Sequence, residues 1–141
     1  MTYYEIINNL KACALEEPNI NFVGSKDIYE LNSLPTIEYN VFYITPNTFS
    51  VDEDTITYSL NLYFVSRWDE TDNNQLEEQS AGMLALQNII NRFNNLYPEV
   101  EIAYPLIYTP FYQKFKDITC GVFVRADFQV DNTLGTCTDD M

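Results

Sequence analysis

The sequence has no histidine. That removes the commonest general base and the commonest metal ligand. It has three cysteines, Cys13, Cys120 and Cys137, an odd number with no CxxC spacing. Neither a disulfide framework nor a zinc site is expected from such a set. Glycine is scarce, four residues in 141, and no glycine-rich phosphate loop occurs. Basic residues are scarce as well: seven against twenty-one acidic ones, a formal net charge of −14. They form no basic run, which argues against adhesive binding to nucleic acid or to anionic lipid. No stretch approaches the roughly 18 apolar residues of a membrane span. The first residues, MTYYEIINNLKACALEEP, lack the basic segment and apolar core of a signal peptide. Synthesis in a reducing cytosol is the expectation.

What is present is aromatic and globular. Hydrophobic residues make up 46% and charged residues 20%, with eleven Tyr, nine Phe and one Trp. A chain of this length matches one ordinary domain and buries about two thirds of its unfolded surface without a staple. Neither a repeat nor a domain boundary interrupts residues 1–141, so they are read as a single domain, with 131–141 as a loose tail.

Periodicity assigns the elements. Residues 2–15 read as a helix. Thr2 and Glu5 have capping-box spacing, Tyr3, Ile6, Ile7, Leu10, Ala14 and Leu15 make one apolar stripe, and Pro18 stops it. Asn21–Gly24 and Asp27–Leu31 are candidate short strands. Residues 37–45 read as a strand interrupted at Pro46-Asn47 by a bend or bulge, with Phe49–Val51 resuming it. Over 55–66, Ile56, Tyr58, Leu60, Leu62 and Phe64 alternate with more polar positions, giving the second arm of a long hairpin. The second helix spans about 75–97, with an inner face expected at Leu76, Ser80, Met83, Leu86 or Gln87, Ile90, Phe93 and Tyr97, widened by Leu84 and Ile89. Residues 100–112 look extended, and 118–130 alternate over thirteen residues, about 40 Å of strand. Its apolar positions should pack on the second helix. Its other face, with Phe123, Arg125 and Asp127, is a candidate contact surface. The expected fold class is α+β: an antiparallel sheet of two long hairpins, with an N-terminal helix and one long central helix packed on one face.

Little in this chain is arranged for chemistry. Four lysines are present, and none lies in a motif that would serve a Ser or Cys nucleophile. Asp52, Glu53 and Asp54 offer hard oxygens to a cation, as do Asp69, Asp72 and Asn73, but neither run has the EF-hand order. Solvated turn residues are the simpler reading of both. No enzymatic activity, cofactor or metal is expected. Trp68, beside Arg67, is either a core or edge aromatic or a subunit contact, since Trp and Arg are favoured at interfaces. Phe111 and Tyr112 after Pro110 are weighed the same way. The candidate contact residues are Phe49, Val51, Trp68, Phe111, Tyr112, Phe123 and Arg125. Asp52, Glu53 and Asp54 form an acidic loop facing solvent or repelling DNA.

The run TYSLNLYFVSRWDETDNN followed by QLEEQSAGMLALQNIINRF, and the later run PLIYTPFYQKFKDITCGVFVRADFQV, resemble the tail-terminator and tail-completion proteins of tailed bacteriophages. The second run is similar to the closing hairpin of that family, and Cys137 near the C-terminus fits the same pattern. The resemblance covers residues 37–137. Arg67-Trp68-Asp69 departs from it where an apolar-acidic pair is expected. The resemblance implies a homo-oligomeric ring, commonly hexameric, that caps the tail tube, meets neck or connector proteins and lets DNA pass without specific binding. It implies a place in the tail or neck of the virion, after synthesis in the host cytoplasm, and no catalytic residues. Another neck or head-completion ring protein is one alternative. A small metal- or ligand-binding protein using the Asp52–Asp54 turn is another.

Overall fold

A computed structural model describes residues 1–25, 40–67, 75–112 and 119–132. The elements run α1 (Tyr3–Leu15), β1 (Phe22–Gly24), β2 (Val41–Val51), β3 (Thr55–Arg67), α2 (Gln75–Leu96), β4 (Glu101–Ile102), β5 (Tyr108–Tyr112) and β6 (Thr119–Asp131). The fold is α+β. The sheet order is β1-β2-β3-β6-β4, with β5 also pairing β6. The two longest strands, β3 and β6, therefore sit in the middle. They pair antiparallel over their full thirteen residues, from Thr55↔Asp131 to Arg67↔Thr119. The β2–β3 and β5–β6 pairings are the two antiparallel hairpins that alternation implies. One strand departs from the expectation of a wholly antiparallel sheet: β1 lies parallel to β2, Phe22 opposite Val41. The two strands are separated by residues 25–40 in sequence, a length that permits a parallel partner. The candidate strand at Asp27–Leu31, the turn at 113–117, Trp68 and the tail from 133 lie outside the described residues.

Local chemistry explains the element ends. Thr2 caps α1: its hydroxyl accepts from Glu5 N–H at 3.2 Å, and Thr2 N–H donates to the Glu5 carboxylate at 3.0 Å. The bond from Thr2 N–H, helped by the Thr2 hydroxyl, holds the Glu5 carboxyl below its ordinary range. At the other end, the Arg92 guanidinium of α2 donates to the Cys13 carbonyl at 2.8 Å and pairs with Glu17 at 3.0 Å and Glu16 at 3.1 Å. A cation there adds a second donor to a last-turn carbonyl, which also accepts from Glu16 N–H at 3.3 Å, and complements the helix dipole. Arg92→Ala leaves Glu17, which is 7% exposed, buried without its cation. A loss of about 2–4 kcal/mol is expected, read as a lower urea midpoint. Arg92→Lys should restore only part of it, because a point charge cannot serve three acceptors at once.

Both helices cover one face of the sheet. Ile6, Leu10, Leu60, Leu62, Phe64, Leu86, Ile90, Phe93, Val124 and Phe128 join in one buried cluster. The apolar alternation of β3 and β6 is the sheet's half of it. The buried stripe of α2 keeps Leu86, Ile89, Ile90 and Phe93 of the expected face and adds Gly82 and Ala85. Ser80 and Gln87 are exposed, and Leu76, Met83 and Leu84 are 76%, 42% and 59% exposed. The reason is steric. A Cβ on Gly82 would come within 3.0 Å of both Phe64 and Val122 side chains, so glycine lets the helix settle close to the sheet. A reading weighted towards large apolar residues passes over Gly82 and Ala85 and extends the face to Leu76, Met83 and Leu84 instead. The end of β6 also differs from the loose tail expected at 131: Asp131 pairs with Thr55, and Asn132 donates to the carbonyls of Asp54 and Asp52, each at 2.9 Å.

Candidate assembly surface

The β2–β3 hairpin ends in an exposed strand segment that carries two large apolar side chains. Val41–Thr45 are buried and Pro46–Val51 are all exposed. A register shift between Pro46 and Thr48 marks the change, as expected of a proline in an edge strand. Among the described residues, no strand pairs with the outer edge of β2 beyond Tyr43. Phe49 and Val51 are 51% and 66% exposed. They stand opposite Tyr58 and Ile56 on the helix side of the sheet. Phe49 is braced from behind by Tyr58, edge-on at 5.2 Å, and by Tyr3 of α1 at 4.7 Å. At the turn, Asp52 N–H donates to the Thr55 carbonyl at 2.8 Å. With the two bonds from Asn132, this fixes a tip whose three carboxylates, Asp52, Glu53 and Asp54, are exposed. Among the described residues no three His, Cys, Asp or Glu side chains are gathered to hold a metal ion.

The other sheet face divides in two. Near β1 it is apolar: Val41, Tyr43, Tyr63, Val65 and Phe111 are buried together, with Phe22 and Phe123 packed against them. Phe123 stacks on Tyr63 at 5.3 Å. Phe111 is 9% exposed and lies edge-on to Tyr63 at 6.3 Å. It therefore packs in the core of its own chain, the first of the two roles its sequence context allowed. Tyr112 pairs with Cys120 in the ladder. Burial pushes the Cys120 thiol up to about 11, consistent with the core role read from its alternating position. Towards the hairpin tip this face turns polar. The Ser59 hydroxyl donates to Asp127 at 2.6 Å, and the Arg125 guanidinium reaches Ser59 at 3.5 Å and Asp127 at 3.7 Å. Arg125 is exposed, and Phe123 is half-buried.

A feature absent from the sequence reading lies on the helix side. Gln87, Ile90 and Asn91 of α2 face Tyr104, Leu106 and Tyr108 across an open groove of about 440 Å³. Tyr104 on its far wall is 62% exposed. Met83 stands four residues before Gln87, on the same helix face. Met83 and Leu84, expected in the core, are surface. One signal could have found it. Its lining residues fall inside two stretches, 79–98 and 102–112, that contain none of the twenty-one acids.

No helix among the described residues is long and apolar enough to cross a membrane. Comparison with protein-family models gives no match, and no curated protein matches the chain.

Proposed function

We propose that this chain is a ring-forming structural protein of a tailed bacteriophage, most simply the tail terminator, which caps the tail tube and joins it to the neck. One observation carries the reading. The β2–β3 hairpin runs past the last residue of β1 and ends in exposed Phe49 and Val51, with no strand on its outer edge there among the described residues. An exposed apolar edge of this kind is a liability in a monomer and an asset in an assembly. The sequence resemblance over residues 37–137 supplies the identity of that assembly. The net charge of −14 fits a bore through which DNA slides without adhering. In this reading the chain acts by shape and charge, with no cofactor, and its partners are copies of itself, the tail tube and the neck proteins.

The test is the oligomeric state. Mass photometry and native mass spectrometry of the chain, alone and with tail-tube protein, should give a closed ring. Charge repulsion between copies weakens as salt shortens the screening length from about 10 Å at 0.1 M towards about 3 Å at 1 M, so added salt should favour the ring. A monomer under all of these conditions overturns the proposal. Locating the chain in a virion map separates a terminator from another neck ring.

A further inference from the structure

We propose that the β2–β3 hairpin tip of one copy seats in the groove between α2 and residues 103–108 of the next copy. This rests on the ring reading above and names the contact that builds the ring.

The occupant follows from charge. Each copy carries −14, so two copies repel over most of their surfaces. The tip adds three exposed carboxylates beside its apolar pair. It can approach only where acids are missing. The groove is lined from residues 87–91 and 104–108, inside two stretches, 79–98 and 102–112, that contain no acid. Apolar and aromatic side chains there, Ile90, Leu106 and exposed Tyr104, suit Phe49 and Val51. The amides of Gln87 and Asn91 can donate to carboxylates at the rim.

The competing surfaces fit less well. A second pocket is lined by Glu99, Glu101 and Asp131, which repel an acidic tip. The polar sheet face offers one cation, Arg125, already engaged with Ser59 and Asp127. Pairing two β2 edges with each other would be isologous and would close as a dimer. A tip and a groove are different surfaces of one chain. Their contact is heterologous, the kind that propagates and closes into a ring.

That asymmetry supplies the test. One variant carries Phe49→Asp and Val51→Asp, the other Asn91→Asp and Tyr104→Asp. All four positions are exposed, and circular dichroism checks that each variant folds. Each alone should stay monomeric under conditions where the wild type assembles, with self-association weakened roughly tenfold or more. Mixed together they should form a one-to-one heterodimer, because the first retains its groove and the second its tip. A second measurement leaves the surfaces intact: Phe49→benzoylphenylalanine in the otherwise wild-type chain, irradiated in the assembled state. Crosslinks to residues 83–91 or 104–108 of another copy support the contact. Variants that assemble like wild type, a mixture without heterodimer, or crosslinks confined elsewhere overturn it and leave the ring reading standing. A wild-type chain that stays monomeric overturns both.

Discussion

Gly121→Ala is expected to leave the chain without a stable native state. Gly121 lies in β6 opposite Val65, between the two central strands. A Cβ at this position would drive into the backbone carbonyl oxygen of Phe64 and would stand 3.1 Å from the Phe111 ring. Neither neighbour can yield cheaply. Phe64 is fully buried in β3, which is paired on both sides by β2 and β6. Phe111 is packed against Tyr63 and Phe123. Opening the ladder there separates the strands on which both clusters rest. The cost should be about 4 kcal/mol or more, a large part of the roughly 5–15 kcal/mol of a whole domain. Urea titration followed by far-ultraviolet circular dichroism reads it directly. An alanine variant with the wild-type midpoint would show that β3 and β6 lie further apart at Gly121.

Phe93→Ala should be nearly as costly for a different reason. Phe93 is fully buried on the inner stripe of α2. Its ring meets Phe128 edge-on at 5.4 Å and Tyr97 at 5.1 Å. Truncation removes the aromatic from the seam between helix and sheet and leaves a cavity that rigid strands cannot collapse. Such changes cost about 3–5 kcal/mol, or a melting temperature lower by about 10 °C for a domain of this size. Phe93→Leu, which keeps most of the volume, should lose less than half as much. Equal losses from the two substitutions would mean that ring packing, not cavity volume, dominates this seam.

The two clusters explain why some elements were legible and others not. Strand alternation from Ile56 to Phe64 and from Val122 to Val130 is read correctly because a sheet with one face on a helix layer imposes a period of two. The α1 cap is read correctly because Thr2 and Glu5 interact across three residues. The α2 face is misread because its decisive residues are small. Gly82 and Ala85 contribute almost nothing to a hydrophobic pattern, yet they let the helix settle on Phe64 and Val122. Phe111 divides the same way: its sequence context suits core and interface alike, and only its neighbours Tyr63 and Phe123 settle which.

By itself the sequence determined an acidic α+β domain with its helix and strand periods, its N-terminal cap and the bulge at Pro46. These depend on residues near each other in the chain. The tertiary structure alone decided which stripe of α2 faces the sheet, the parallel entry of β1, the anchoring of the hairpin tip by Asn132, and the meeting of two acid-free stretches in one groove. Each of these needs residues far apart in sequence to come into contact. No local pattern carries that information, because it depends on how closely a helix can approach a sheet.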